Sequence, residues 1–139
     1  MSTIIREPVL GEIPAIIKLL KSCGLHYENE DTPPKLERKL ALDHDLMLVA
    51  EKGGVIAGFV MASFDGWAGI VWHFSVLPEF RKGTGIAVLL GEAIIERLKH
   101  RGADTVYGLV LPDNVRMLRL ARGRGFRNGA LVRVIEKNI

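Results

Sequence analysis

The sequence predicts an α/β fold of the α+β type, a mixed central sheet of six to seven strands with about four helices on both of its faces. Segments with apolar residues at helical spacing alternate with short apolar segments of strand length. The connections among residues 46–77 are tight turns, which join antiparallel strands. A long helical segment precedes the next strand, so that pair of strands is predicted to be parallel.

The first part of the chain predicts one strand and two helices. Thr3 to Arg6 reads as a short strand. Apolar residues recur at helical spacing from Glu12 to Cys23, and Gly24 ends this helix. Pro33 opens a second helix, because proline is tolerated at the first helical position. The polar residues 26–32 form the loop between the two helices.

Three strands, a long helix and three further elements are predicted after residue 45. Glycine-containing turns separate the strands, and a broad apolar stripe marks the helix. The predicted strands are Leu46–Glu51, Val55–Phe64, Ala68–Leu77, Thr105–Leu111 and Leu131–Ile135. The predicted helices are Gly85–His100 and Asn114–Arg122.

Composition predicts a single domain, residues 1–139, that works in the cytoplasm. The chain is 48% apolar and 25% charged, which is ordinary for a globular protein. Cys23 is the one cysteine, so an internal disulfide and a metal cluster built on cysteines are both excluded. The N-terminus lacks the pattern of a signal peptide, and no apolar run approaches the roughly 20 residues of a membrane helix. We therefore expect no membrane partner and no metal.

Charge is distributed unevenly although the net charge is only +3. Acidic residues gather in residues 26–45, and six arginines lie in residues 116–133. An arginine-rich segment can bind nucleic acid, but such binding also uses aromatic side chains for base stacking. Phe126 is the one aromatic residue in this segment. The sequence therefore disfavours a nucleic-acid partner.

A basic, glycine-rich turn follows the predicted strand that ends at Pro78. It runs from Arg81 to Ala87 and leads into the long helix. Free N–H groups and the helix dipole at such a turn favour a phosphate group, and glycines let the backbone come close to it. The spacing is neither that of a Walker loop nor that of the dinucleotide fingerprint. The turn therefore predicts an anion site of another kind.

Two separated motifs resemble the GNAT acetyltransferase superfamily. Residues 76–90 are similar to its acetyl-CoA loop, with Lys82-Gly83-Thr84-Gly85-Ile86-Ala87 at the expected spacing. Asn114, Leu120 and the pair Gly125-Phe126 match the family's later helix and turn. Arg81 rather than Lys82 directly follows the aromatic residue, so either one extra residue lengthens the loop or Arg81 takes the leading role. We prefer the first, because it keeps Gly85 and Ala87 in the places of small residues.

The resemblance implies acetyl-CoA as the cofactor, held mainly by backbone groups. Strand residues would pair with the pantetheine, the loop would hold the pyrophosphate, and Asn114 would touch the pantetheine. The residues assigned to the cofactor are Phe74, Ser75, Val76, Arg81, Lys82, Gly83, Thr84, Gly85, Ile86, Ala87 and Asn114.

The family's usual catalytic residues are replaced. Ala121 stands where the family often has a tyrosine that protonates the departing thiolate. Trp72 and Ile70 occupy the usual places of the base. Strand alternation puts His73 on the face opposite Trp72, where packing or a hydrogen bond against a helix is the expected role. The catalytic residues stay unassigned, with Tyr107, His73 and His26 as the candidates.

The predicted function is an N-acetyltransferase that moves an acetyl group to an amine by direct attack in a ternary complex. The acceptor is a small molecule or a protein amine, and His26, Tyr27 and Trp72 are the candidate acceptor contacts. The alternative is an acetyl-CoA-binding module of this type with weak or no activity, suggested by Ala121 and the missing base. A homodimer is expected only because members of this superfamily are often dimers.

Overall fold

The computed structural model describes residues 2–139. Within that range it contains five strands and four α-helices. In chain order they are β1 (Thr3–Arg6), α1 (Ile13–Ser22), α2 (Pro33–Leu42), β2 (Met47–Lys52), β3 (Val55–Phe64), β4 (Gly69–Val76), α3 (Ile86–Arg101), β5 (Val106–Gly108) and α4 (Val115–Gly123). Short 3-10 turns at Leu10–Glu12, His44–Leu46 and Pro78–Phe80 lie between them. The chain forms two compact units, one that ends at Gly108 and one that comprises Leu109–Ile139.

The strands of the first unit form one mixed sheet in the order β1-β2-β3-β4-β5. The pairs from β1 to β4 are antiparallel, and β4 pairs with β5 in parallel. Tight turns can connect only antiparallel neighbours, whereas α3 carries the chain across from β4 to β5. The predicted mixed sheet is confirmed.

Helices cover both faces of this sheet. The apolar stripe of α1 buries Ile13, Ile16, Leu19 and Leu20 against residues such as Phe59 of β3. On the other face α3 packs a second cluster, with these buried residues: Ile86, Leu90, Ile94 and Leu98. Each fully buried side chain of this size contributes about 1.5–3 kcal/mol. The two clusters therefore fix both helix layers on the sheet, as the sequence predicted.

The predicted strand Leu131–Ile135 is wrong. Residues 126–139 form neither helix nor strand, and Leu131 and Ile135 are 84% and 87% exposed. A strand is stable only when a neighbour accepts its backbone hydrogen bonds and one face is covered. No described residue pairs with this segment. The sheet has five strands instead of six to seven, and β5 keeps only three residues of the predicted strand Thr105–Leu111.

Ion pairs join the edge of the sheet to the segment before α1. The guanidinium of Arg6 in β1 donates to the carboxylates of Glu12, at 2.7 and 2.9 Å, and of Glu51, at 2.8 Å. The hydrogen bond from Arg6, opposed by partial burial and assisted by the N–H of Val9, lowers the pKa of Glu12 to about 2. Among residues 2–139, no helix has the length and apolar character to span a membrane.

Gly58 of β3 lies where the sheet meets α3, and we expect Gly58→Ala to destabilise the fold. A Cβ there would lie 2.7 Å from Leu90 Cδ1, 3.1 Å from the carbonyl oxygen of Ser75 and 3.3 Å from Ile86 Cγ2. Overpacking of this kind costs about 1–3 kcal/mol. Urea unfolding measures the loss. Gly11→Ala is the matched control, because a Cβ at Gly11 meets nothing within 4 Å. Equal stability of the two variants would contradict the close contact.

The low pKa of Glu12 predicts a pH-dependent contribution to stability. A carboxyl group whose pKa falls on folding stabilises the folded state above its unfolded pKa, and this contribution is lost as pH falls through the folded pKa. Wild type should therefore exceed Glu12→Gln in unfolding free energy by a constant amount from pH 7 to about 5. The difference should vanish near pH 2, the folded pKa.

Unfolding in urea between pH 7 and pH 2 measures this difference. Glu30→Gln, at an exposed position, is the control and should follow wild type throughout. A gap between wild type and Glu12→Gln that persists unchanged at pH 2 would contradict the role assigned to the Arg6 hydrogen bonds.

Candidate functional site

Strand β4 contains a bulge at its centre. Ser75 pairs with Phe59 and Trp72 pairs with Met61, so β4 has one residue more than β3 between these two pairs. His73 lies in this interval with a φ of 53°, the one non-glycine residue with positive φ among residues 2–139. A left-handed residue is one of the conformations by which a bulge accommodates its extra residue. The bulge therefore redirects the side chains that follow Trp72.

The prediction that His73 lies on the face opposite Trp72 is wrong because of this bulge. The side chains of Val71 and Phe74 pack in the cluster beneath α3. Trp72 lies on the other face, where its Nε1–H donates to Ser63 Oγ at 3.2 Å. His73 is on that face too, because it contacts the loop between α1 and α2. Simple alternation fails where an inserted residue separates the two halves of a strand.

His73 forms a buried pair with Asp31. The ring Nε2 lies 2.9 Å from Asp31 Oδ1, and the two side chains are 3% and 0% exposed. The backbone N–H of Tyr27 donates to the other carboxylate oxygen at 2.7 Å. Burial raises the pKa of Asp31, but the hydrogen bonds from His73 and Tyr27 outweigh it and leave the pKa below its ordinary value. Asp31 is therefore ionised at neutral pH and accepts both bonds.

Two candidate residues of the loop surround this pair. The rings of Tyr27 and His73 are 4.9 Å apart between centroids and inclined by 37°. Tyr27 is 49% exposed, so one side of its ring faces solvent. His26 Nε2 donates to the carbonyl oxygen of Asp31 at 3.0 Å. The structure thus brings His26 and Tyr27 of the loop close to His73 of β4, which follows them by 46 or more residues in sequence.

The second half of β4 has a free edge within residues 2–108. Strand β5 pairs with Gly69, Ile70 and Val71 and ends at Gly108. Leu77 N–H donates to Ala57 of β3, so alternation turns the backbone groups of Val76 and Phe74 away from β3. Ser75, which pairs with Phe59, has the opposite orientation. Phe74 and Val76 therefore present their backbone N–H groups along the free edge.

The carbonyl oxygen of Val76 receives two side-chain donors at the end of this edge. Arg81 Nε donates to it at 2.8 Å, and Cys23 Sγ lies 3.6 Å away. The guanidinium of Arg81 is thereby folded back onto the strand that precedes its loop. Arg81 ties the loop to β4, and Cys23 ties the end of α1 to the same point.

The glycine-rich loop presents a row of unpaired backbone donors. Arg81 N–H is bonded to the carbonyl of Pro78, but from the next residue onward the donors are free. Among residues 2–139 no acceptor contacts the N–H groups of Lys82, Gly83, Thr84, Gly85, Ala87 and Val88. Ile86 N–H bonds to Thr84 Oγ1 at 3.3 Å, and Thr84 Oγ1 in turn donates to Phe80. This geometry suits an anion.

Glycine at the start of α3 is essential to this arrangement. Gly83 and Gly85 have φ of 73° and 71°, in the left-handed region that glycine adopts without strain. Gly85 is the N-cap, and it has no side chain to occupy the first donors of the helix. These donors and the helix dipole together favour negative charge at this point.

The remaining predicted residues lie elsewhere. Tyr107 is in β5, paired with Ile70 and 56% exposed. In the second unit, Asn114 caps α4, because its side-chain oxygen accepts from Met117 N–H at 3.2 Å. Ala121 is in the same helix and supplies no hydroxyl. No group of three or more potential metal ligands occurs in the part of the chain that the structure describes.

Sequence reasoning missed Cys23 as part of this site and did not single out Asp31 from the acidic residues of the loop. Asp31 was one of several acidic loop residues, and nothing in the local pattern distinguished it from exposed Glu28 and Glu30. The only available signal was the position of Asp31 directly before Thr32 and the prolines of α2, which places it at the N-terminal end of that helix. Its burial depends on a contact with His73, 42 residues away.

The chain belongs to the acetyltransferase (GNAT) family, whose sequence model matches residues 13–126. An acetyltransferase of Pectobacterium atrosepticum is 39% identical over 103 residues, which cover 74% of this chain and 72% of that protein. An acetyltransferase of Photorhabdus laumondii is 38% identical over 99 residues, 71% of this chain and 68% of that protein. The family predicted from the two motifs is confirmed.

Solved structures share the fold. The aminoglycoside N-acetyltransferase AAC(6')-Iy in complex with a CoA bisubstrate analogue has a TM-score of 0.81 at 20% identity, and each chain is covered completely. The PaiA N-acetyltransferase of Thermoplasma acidophilum in complex with coenzyme A has a TM-score of 0.81 at 16% identity, with 91% of each chain covered. The α/β fold with a mixed sheet is therefore that of the family.

Proposed function

We propose that this protein is an acetyl-CoA-dependent N-acetyltransferase, which moves an acetyl group to an amine by direct attack in a ternary complex. The proposal depends on the free N–H groups of residues 82–85, 87 and 88, next to the free edge of β4. Membership of the acetyltransferase (GNAT) family supports the reaction class. The solved structures of similar fold are described with coenzyme A or a CoA analogue, which supports the cofactor.

The residues present fit acetyl-CoA. Backbone N–H groups at a helix N-terminus match a pyrophosphate, which is anionic and accepts several hydrogen bonds. The N–H groups of Phe74 and Val76 match the amides of an extended pantetheine, as a strand edge matches a peptide. Bound there, acetyl-CoA supplies the activated acetyl thioester. Ser75 supports this role less well, because its own backbone pairs with Phe59.

Lys82 rather than Arg81 heads the pyrophosphate loop in this proposal. The N–H of Arg81 is already bonded to Pro78, and its side chain is bonded to Val76. Lys82 has a free N–H and no ion-pair partner among residues 2–139. Thr84 shapes the loop from within, through its contacts with Phe80 and Ile86.

The acceptor amine approaches from the side of the loop between α1 and α2. Tyr27 exposes half of its surface next to His73, and Trp72 lies on the same face of β4. An ionised Asp31 and exposed acidic residues nearby favour a cationic group. His26, Tyr27 and Trp72 are therefore proposed as acceptor contacts. Small-molecule amines and protein amines are both compatible with this site.

A second candidate function is an acetyl-CoA-binding module with weak or no transfer activity. Ala121 favours this function, because α4 has no hydroxyl group at the place where the family often has a tyrosine that acts as the general acid. Residence in the cytoplasm and homodimer formation stay predictions, as does the absence of a nucleic-acid partner.

Release of coenzyme A thiol with acetyl-CoA and a panel of amines measures the proposed activity. Polyamines, aminosugars, amino acids, peptides with a free N-terminus and lysine peptides form the panel. We expect turnover with at least one class and acetyl-CoA binding by calorimetry. Binding without turnover on the whole panel would favour the second candidate function. Absence of binding would contradict both.

Two glycines at opposite ends of α3 provide a matched test of the loop. Gly85 and Gly102 both have positive φ, and a Cβ at either position meets nothing within 4 Å. Alanine at each should cost about 1–2 kcal/mol of stability, since left-handed backbone disfavours it. Only Gly85→Ala should weaken acetyl-CoA binding, by about tenfold, since it displaces the donors of the loop. Equal affinities of the two variants in calorimetry would contradict the proposed pyrophosphate site.

A further inference from the structure

The buried polar residues of this protein gather at one point. Among residues 2–139 the polar or charged residues in the buried class are Asp31, His73 and Ser75. His73 bonds to Asp31 through its ring, and Ser75 Oγ donates to the carbonyl of His73 at 2.8 Å. A buried polar cluster of this kind is costly unless every member is bonded. Its location at the bulge of β4 calls for a functional reason.

The backbone of His73 adds a second cost at this position. A non-glycine residue in the left-handed region is sterically disfavoured. Strain of this kind persists where the surroundings fix it, and it is concentrated at functional sites. Here the hydrogen bond with Asp31 fixes it. The strain aims the ring of His73 at the α1–α2 loop instead of at α3.

The bond to Asp31 selects one tautomer of the ring. An ionised carboxylate only accepts hydrogen bonds, so the proton of the neutral ring is on Nε2. The lone pair is then on Nδ1, which has no partner among the described residues. No buried side-chain nitrogen or oxygen there lacks a partner, so Nδ1 retains a small accessible surface although the whole side chain is only 3% exposed. His73 thus has a proton acceptor at the margin of the buried pair and a fixed donor inside it.

Residue 73 lies in the part of β4 that has the free edge. The pairing with β5 ends at Val71, and His73 is two residues further along the strand. Val76 follows three residues later, a distance of about 10 Å at the strand rise of about 3.3 Å per residue. Phe74, whose N–H points along the edge, is the adjacent residue. The half-exposed ring of Tyr27 lies beside the imidazole on the solvent side.

We propose that His73 is the general base of the reaction and that Asp31 is its positioning residue; this rests on the proposed N-acetyltransferase function. Nδ1 of His73 takes one proton from the ammonium form of the acceptor, directly or through one water molecule. The neutral amine then forms the C–N bond while the C–S bond breaks. The sulfur keeps the electron pair and takes the second amine proton, and His73 returns the first proton to solvent.

The charged and titratable groups around His73 fit this role. Asp31 faces it from the loop before α2 and accepts the hydrogen bond of its ring. Tyr27 faces His73 from the same loop. His26 is bonded to the backbone carbonyl of Asp31. Glu28 lies 3.5 Å from His26 rather than against His73. No described cation is paired with Asp31 in place of His73.

His73→Asn is the variant that separates catalysis from folding. Asparagine tolerates the left-handed region better than most residues and cannot take up a proton, although its amide nitrogen replaces Nδ1 and stops short of Asp31. We expect kcat to fall about 100-fold, as for removal of a general base. The acetyl-CoA Kd should stay within about threefold of wild type, since the loop is untouched.

The pH profile and the imidazole resonances give readouts that a structural role would not move. The acidic limb of kcat/KM should be present in wild type and absent in His73→Asn. In the protein without acetyl-CoA, nitrogen NMR should show the His73 proton on Nε2. Asp31→Asn should mix the two tautomers.

The outcomes are distinct. An active wild type with His73→Asn within threefold of it, or with an unchanged acidic limb, would overturn the role of His73 and leave the proposed function intact. A His73 proton on Nδ1 in wild type would also overturn it. A wild type that binds acetyl-CoA but acetylates no amine would overturn the proposed function and the base together.

Discussion

One hydrogen bond, between the ring of His73 and the carboxylate of Asp31, holds the candidate site together. A hydrogen bond to a charged group contributes about 1.5–3 kcal/mol, which is sufficient to offset the roughly 1–2 kcal/mol of left-handed strain at His73. The same carboxylate accepts from the N–H of Tyr27, and the same residue's carbonyl accepts from His26. The conformation of the loop and the bulge of β4 therefore depend on each other.

The end of β4 connects the glycine-rich loop to the C-terminal end of α1. The carbonyl of Val76 accepts from Arg81 of the glycine-rich loop and from Cys23 at the end of α1. The glycine-rich loop is thereby fixed relative to the strand edge, and the α1–α2 loop is connected to the same point through α1. The side chain of Arg81, which the sequence assigned to the cofactor, is bonded to the strand.

Much of the fold followed from local patterns. Periodicity placed α1, α3 and the strands β1 to β4 within one or two residues, because a segment that buries one face must repeat its apolar residues at the period of its backbone. The glycine-rich loop was predicted because its signal is local, with left-handed glycines at the start of a helix. Leu131–Ile135 has the pattern of a strand but remains exposed, because a pattern does not supply the neighbour that a strand requires.

By itself the sequence determined the family, the mixed sheet, the helices on both faces and the glycine-rich loop before α3, because the signal for each lies in contiguous residues at fixed spacing. Only the tertiary structure decided which of the dispersed polar residues form a site. Because of the bulge, His73 lies on the face of β4 opposite to the one that strand alternation predicts. Asp31, 42 residues away in sequence, is buried by its contact with His73. Such a pair cannot be read from spacing, because its energy arises from burial and from the exclusion of water, which exist only after the chain has folded.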